Sequence, residues 1–123
     1  MPRDNPTGIG HFIQAFVNSM RGLQAVFRHE AAARQELLFA VVMSVIAFCL
    51  ADTLAVLLIL LILPWMILVV ELLNSAIEKT LDRISQEEHE LAGRAKDMGS
   101  AAVFMMAFIT CAAYLIVIIN KCC

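Results

Sequence analysis

Acidic and amide side chains recur at helical spacing in the segment 71–82, ELLNSAIEKTLD. Asn74 follows Glu71 by three positions, and Glu78 follows Asn74 by four. Asp82 lies one further turn along. On an α-helix this spacing places all four side chains on one face. Because the segment continues an apolar run, its carboxylates would lie near hydrocarbon, where an ionised group needs a partner, a metal ion or a proton.

Further charged residues border the apolar segments and suggest what this polar stripe could do. Glu30 and Glu36 precede the first apolar run, and Lys96 precedes the last. Two carboxylates from different helices suit Mg²⁺, which binds one or two carboxylates together with substrate phosphates. A lysine can neutralise phosphate charge, and a carboxylate near the lipid can accept a proton from a hydroxyl group. These groups suit phosphoryl transfer from a magnesium nucleotide to a membrane alcohol, although a structural polar network or an ion-coupled path remains open.

The composition predicts an integral membrane protein. Of the 123 residues, 61% are hydrophobic and 16% are charged, against roughly 45–50% and 25% in soluble domains. The only charged residue between Glu36 and Glu71 is Asp52, and none occurs from Met98 to Asn120. A spanning helix needs about 20 residues. The three predicted spans therefore lie near 32–50, 54–71 and 98–119.

The segment 8–28 predicts an amphipathic helix that is too polar to cross a membrane. Its apolar residues recur at helical spacing, and polar residues lie opposite them. Such a helix is expected to lie in the membrane interface. The predicted fold is thus an all-α integral membrane protein, with a surface helix followed by three transmembrane helices. Within a single domain 1–123, the leader with the surface helix and the three helices occupy 1–28, 30–50, 53–84 and 88–119.

The basic residues predict the orientation in the membrane. Eight of the nine lysines and arginines lie before the first span or between the second and third: Arg3, Arg21, Arg28, Arg34, Lys79, Arg83, Arg94 and Lys96. Cytoplasmic loops carry the excess of positive charge. The N-terminus and the polar stripe are therefore predicted to be cytoplasmic, and the C-terminus is predicted to be on the opposite, periplasmic side.

Several other classes of protein are excluded by the sequence. It contains neither G-x-x-x-x-G-K-[ST] nor G-x-G-x-x-G, so a P-loop or a dinucleotide-binding fold is not expected. A net charge of −2 argues against a nucleic-acid partner. The adjacent Cys122 and Cys123 lack the spacing of metal ligands, and no role is assigned to them.

Three stretches of the chain resemble the prokaryotic diacylglycerol kinase family. They are EAAARQE at 30–36, ELLNSAIEKTLD at 71–82 and HELAGRAKDMGSAAV at 89–103, and the likeness extends from Thr7 onward. The resemblance implies a homotrimer of the bacterial inner membrane that uses ATP and Mg²⁺ to phosphorylate diacylglycerol to phosphatidic acid. A close branch of the family phosphorylates undecaprenol. The segment GRAKDMGSAAV is more similar to the sequences of the diacylglycerol branch.

The resemblance also implies roles for individual residues. Glu71 is expected to be the catalytic base, with Glu30 and Glu78 as metal ligands and Asn74 as their support. The implied ATP-binding residues are Glu30, Glu78, Glu87, Glu88, His89, Lys96 and Asp97. The implied residues of the lipid acceptor site are Ser19, Arg34, Gln35, Glu36, Glu71 and Ser100.

Two positions of the predicted surface helix depart from the family pattern. His11 stands where an arginine is usual, and Asn18 stands where a tyrosine is usual. The first change removes a fixed positive charge and the second removes an aromatic contact. Neither residue is therefore assigned to the predicted site.

Two other classes of membrane protein are weighed against a kinase. A small proton-coupled transporter would be expected to carry a carboxylate in mid-bilayer, but the mid-span regions 40–50, 56–68 and 102–118 have no charged residue. A purely structural membrane subunit would not need so many acceptor groups at one interface. Both alternatives are therefore ranked below a kinase.

Overall fold

The computed structural model describes residues 7–84 and 90–123, which form four α-helices. These helices are α1 (Ile9–His29), α2 (Ala31–Leu50), α3 (Leu54–Ile84) and α4 (Glu90–Cys122). By length and composition, α2, α3 and α4 could each cross a membrane. The predicted all-helical chain with three apolar, span-length helices is confirmed.

A single extended residue, Glu30, separates α1 from α2. Its backbone has φ −115° and ψ 111°, and its N–H donates to the carbonyl of Val26 at 2.8 Å. The guanidinium of Arg34 then donates to the carbonyls of Phe27 at 2.8 Å and Arg28 at 3.2 Å. These bonds satisfy carbonyls that the last turn of α1 leaves without helical partners. The corner is therefore well defined, and it carries the Glu30 side chain.

Side-chain hydrogen bonds stabilise the turn between α2 and α3. The Thr53 hydroxyl accepts a bond from the Val56 N–H at 3.2 Å, as an N-cap residue does. From the end of α4, the Lys121 ammonium lies 3.2 Å from the Leu50 carbonyl oxygen and 3.4 Å from Asp52 Oδ1. A cation beside the last carbonyls of a helix is favourable. This contact ties the end of α4 to the α2–α3 turn.

The central helix of the bundle is α3, which packs along both α2 and α4. On α2 the residues that are fully buried are small alanines seven positions apart, Ala33, Ala40 and Ala47. Small residues let helix backbones approach closely in a membrane protein. At the start of α2 this holds for Ala33, whereas its neighbours Ala31 and Ala32 are exposed.

Near the α2–α3 turn, Tyr114 of α4 joins all three long helices. Its ring packs with Ala47 and Leu60 in one apolar cluster. Its hydroxyl lies 2.5 Å from the Leu60 carbonyl oxygen and 3.0 Å from that of Met43. A buried tyrosine needs such a partner for its polar end, and here the partners lie on two neighbouring helices.

The length of α3 decides where its polar residues lie. With 31 residues it is about 46 Å long, whereas the hydrocarbon core of a bilayer is about 30 Å thick. Pro64 is buried inside the helix and does not end it. Because the apolar part begins at Leu54, the final turns after Glu71 extend beyond the hydrocarbon. The polar stripe lies on this extension.

Candidate active site

Glu71 lies at the point where the apolar part of α3 ends, and its side chain is buried, with only 7% exposed. The carboxylates of Glu78, Glu30 and Glu36 are close enough to act on it electrostatically. Three segments thus bring like charges together: α3, the α1–α2 corner and α2. Such a cluster is unfavourable unless a cation or a proton reduces its charge.

Asn74 connects two of these carboxylates. Its Nδ2 donates to Glu78 Oε1 across a long 3.4 Å bond, and its amide also lies within hydrogen-bonding range of Glu71. The side chain is buried, but its Oδ1 accepts no bond from the residues that the structure describes. An unpaired buried acceptor costs about 1–3 kcal/mol. In this conformation the oxygen is closed to solvent and packed against α4, so a ligand reaches it only if the Asn74 side chain or α4 moves.

Gly99 of α4 packs directly against the Asn74 side chain. A Cβ atom at this position would overlap Asn74 Oδ1, so only glycine permits the observed approach of the two helices. Gly99 is not among the site residues that the sequence predicts. A glycine at the start of the last apolar run was a visible signal, but the sequence did not indicate which residue it faces.

Two lysines form ion pairs with acidic residues of the site. Lys79 Nζ lies 3.0 Å from Glu30 Oε1, and Lys96 Nζ lies 2.7 Å from Asp82 Oδ1. The hydrogen bond from Lys96 holds the pKa of Asp82 below its usual value. The bond to Glu30 raises the pKa of Lys79. In the sequence Lys79 indicates only the orientation of the chain, and its position beside Glu30 is not predicted.

The predicted acceptor-site residues lie in different parts of the structure. Glu36 lies within electrostatic reach of Glu71, and its buried Oε2 has no hydrogen-bond partner in the described ranges. Arg34 is used at the α1–α2 corner, as described above, while Gln35 and Ser100 are exposed. Ser19 donates to the Ala15 carbonyl at 2.8 Å. It lies about 16 Å along the α1 axis from the Glu30 corner.

The predicted nucleotide-binding residues divide into two groups. Lys96 and Asp97 lie on α4, and Lys96 reaches across to the extension of α3 through Asp82. The remaining three predicted contacts, Glu87, Glu88 and His89, lie outside the described residues. The structure thus joins the α3 stripe to the Lys96 region of α4.

The donor atoms fit a magnesium ion that a nucleotide helps to hold. Within 7–84 and 90–123, no three His, Cys, Asp or Glu side chains converge tightly enough to hold a metal by themselves. The site does offer the carboxylate oxygens of Glu30 and Glu78, which both act electrostatically on Glu71. All are oxygen donors of the kind that Mg²⁺ prefers, and this ion commonly takes its other ligands from phosphates and water.

Comparison with known proteins identifies the family. The sequence profile of prokaryotic diacylglycerol kinases matches residues 17–118. The chain is 48% identical to the diacylglycerol kinase of Escherichia coli (strain K12) over 107 residues, 86% of this chain and 87% of that protein. It is 44% identical to the diacylglycerol kinase of Pseudomonas aeruginosa over 85% of each chain, and 29% identical to the undecaprenol kinase of Bacillus subtilis over 97% of each. With three span-length helices and this degree of similarity along most of its length, the chain is a membrane enzyme that belongs to the prokaryotic diacylglycerol kinase family.

Proposed function

We propose that the chain transfers the γ-phosphoryl group of ATP to the free hydroxyl of diacylglycerol, which yields phosphatidic acid. The observation that carries the proposal is the gathering of carboxylates around Glu71 where α3 leaves the hydrocarbon. There a lipid hydroxyl and a water-soluble nucleotide can meet. Diacylglycerol is favoured over undecaprenol because the two diacylglycerol kinases compared above are more similar to this chain than the undecaprenol kinase is.

Glu71 acts as the general base in this proposal. Its carboxylate takes the proton of the acceptor hydroxyl as the hydroxyl oxygen forms a bond to the γ-phosphorus. The bond between the γ-phosphorus and the β-γ bridging oxygen breaks, and ADP leaves with the electron pair. Asn74 holds the carboxylates of Glu71 and Glu78 in a fixed relation through its amide group. Glu71 is suited to this role because its side chain is sheltered at the edge of the lipid.

On the nucleotide side, Glu30 and Glu78 would hold Mg²⁺, and Asn74 would support Glu78 through its 3.4 Å bond. When bound, the ion would neutralise charge on the phosphates. Lys96 adds a compact positive charge, and its 2.7 Å bond to Asp82 keeps its ammonium at the α3 surface. The further nucleotide contacts proposed by family likeness are Glu87, Glu88, His89 and Asp97.

On the lipid side, Glu36 is a proposed acceptor-site residue that lies within electrostatic reach of the base. Its buried, unpartnered Oε2 can accept a hydrogen bond from a glycerol hydroxyl. Ser19, Arg34, Gln35 and Ser100 complete the proposed acceptor site. Arg34 would act there indirectly, since its guanidinium holds the end of α1 against the start of α2.

The proposed setting is the bacterial inner membrane, with the N-terminus and the site on the cytoplasmic side and the C-terminus in the periplasm. The distribution of lysine and arginine supports this orientation. The large apolar side chains of α1, among them Phe12, Ile13 and Phe16, are exposed and suit a helix lying in the interface. Residues 1–123 then act as one kinase domain, which assembles as a homotrimer by likeness to the family.

The test is identification of the lipid product. The purified chain in mixed micelles is incubated with γ-labelled ATP and Mg²⁺ in the presence of both diacylglycerol and undecaprenol, and the lipids are separated by thin-layer chromatography. Label in phosphatidic acid is the expected result. Label mainly in undecaprenyl phosphate would establish the alternative acceptor, and label in neither lipid would refute the proposal.

A further inference from the structure

Lys79 holds the carboxylate that is proposed to bind the metal ion. The Lys79 ammonium is 3.0 Å from Glu30 Oε1, and the two residues come from different helical segments. The Glu30 side chain is only 23% exposed, whereas that of Lys79 is 68% exposed. The glutamate is therefore fixed at the α1–α2 corner, while the lysine has a flexible stem in solvent and can move away.

A metal ion and Lys79 would compete for Glu30. Magnesium binds carboxylate oxygens at about 2.0–2.1 Å, so a bound ion and an ammonium 3.0 Å from the same oxygen would be cations in close contact. Their repulsion opposes simultaneous binding. Resting on the function proposed above, we propose that Lys79 is the counter-ion of Glu30 in the nucleotide-free protein, and that the divalent ion displaces it onto the phosphates of the bound nucleotide.

The surroundings of Lys79 indicate where its ammonium would go. Lys79 acts electrostatically on Asp82, and Asp82 is bonded to Lys96 at 2.7 Å. The two lysines, one on α3 and one on α4, therefore flank a single carboxylate. A triphosphate bound at Lys96 would come within reach of the displaced Lys79. The exchange would replace one ion pair by another, so that metal and nucleotide binding would favour each other.

The first test measures Mn²⁺ binding to the full chain in detergent micelles, using electron paramagnetic resonance of the free ion and no nucleotide. Lys79→Met keeps the apolar stem but removes the competing charge, so Mn²⁺ should bind about two- to fivefold more tightly. Lys79→Arg should resemble the parent. Arg83→Met, which removes another positive charge one turn along α3, is the matched control and should have little effect.

A double-mutant cycle separates competition at Glu30 from a general effect of charge. With Glu30→Gln already present, Lys79→Met should no longer change Mn²⁺ affinity, because the shared carboxylate is gone. Equal tightening in both backgrounds would overturn the proposal, as would no tightening in either. If Glu30→Gln alone leaves Mn²⁺ affinity unchanged, then Glu30 is not a ligand and the metal role proposed above fails together with this inference.

The second test measures binding of a fluorescent, non-hydrolysable ATP analogue in the presence of Mn²⁺. Lys79→Met should weaken binding about two- to fivefold, because the displaced ammonium no longer contacts phosphate. Lys79→Arg should restore most of the affinity. Unchanged binding of the analogue would overturn the transfer of Lys79 to phosphate. If the same preparations still form phosphatidic acid normally, the proposed kinase function would hold although the proposed transfer of Lys79 does not occur.

Discussion

The two ends of the three-helix bundle satisfy their polar groups very differently. At the end near the α2–α3 turn, the Tyr114 hydroxyl and the Lys121 ammonium both find carbonyl partners on other segments. At the opposite end, Glu36 Oε2 and Asn74 Oδ1 are buried without partners, and no other such side-chain atoms occur among the described residues. The first end is complete within the chain. At the second end two buried acceptor atoms lack donors, as expected where a ligand is to be bound.

The contrast runs along one helix, α3, and depends on a change in residue type. In its apolar part the polar groups have partners: the Leu60 carbonyl accepts the Tyr114 hydroxyl, and the Trp65 indole donates to the Ser44 hydroxyl at 3.0 Å. Beyond it, Glu71 and Asn74 are equally sheltered but carry polar groups that the chain only partly satisfies. Burial alone therefore does not distinguish the two ends. The unsatisfied polar atoms do, and substitutions at the two ends should have different consequences.

The largest effect on activity is expected from Glu71→Gln. The amide keeps the shape of the side chain but cannot act as a base, so turnover should fall by roughly 10²–10⁴, with little change in KM for ATP. Removing one of several like charges should not destabilise the fold. Steady-state kinetics and thermal unfolding in the same micelles measure both quantities. Near-normal turnover would remove Glu71 from the role of base.

The next largest effect is expected from Gly99→Ala. The added methyl group would overlap Asn74 Oδ1, so Asn74 must rotate away from Glu78 or α4 must shift. We expect at least a tenfold loss of turnover, together with a loss of stability of about 1–3 kcal/mol. Denaturant unfolding and kinetics measure the two effects.

Gly93 on the same helix supplies the matched control for this substitution. A Cβ atom there would meet no atom of residues 7–84 or 90–123 within 4 Å, so Gly93→Ala should be neutral or slightly stabilising, since alanine favours a helix. Similar behaviour of the two alanine variants would show that the approach of α4 to Asn74 does not organise the site.

The metal ligands should give an effect on activity that added Mg²⁺ can offset. Glu30→Gln and Glu78→Gln each remove an anionic oxygen, and each should raise the Mg²⁺ concentration for half-maximal activity by about tenfold or more. Asp52→Asn, at the other end of the bundle, is the control and should titrate like the parent. A variant at Glu30 or Glu78 whose Mg²⁺ titration matches the parent would exclude that residue as a ligand.

The sequence predicts which face of a helix a residue occupies better than it predicts contacts between helices. The spacing of Glu71 and Asn74 placed both on one face of α3, and the structure brings them together. The register between α3 and α4 decides that Gly99 faces Asn74. The corner between α1 and α2 decides that Lys79 reaches Glu30. Helical periodicity contains no information on either. The same holds for the bonds from the Arg34 guanidinium to carbonyls at the end of α1.

The smallest effect on activity is expected at the satisfied end, from Tyr114→Phe. The change removes the hydroxyl that bonds to the Leu60 or Met43 carbonyl but keeps the ring packed against Ala47. The Leu60 carbonyl has no helical donor of its own, because Pro64 one turn along α3 lacks an N–H. Without the hydroxyl it is left unpartnered, so the loss should be about 1–3 kcal/mol of stability. Turnover and Mg²⁺ dependence at a temperature well below unfolding should stay within about twofold of the parent, since a site near the far end of α3 is not repacked. Unfolding in denaturant, run beside the kinetic assay, measures both. A large loss of turnover without a matching loss of stability would show that the two ends are coupled, and that the bundle does not divide into a structural end and an active end.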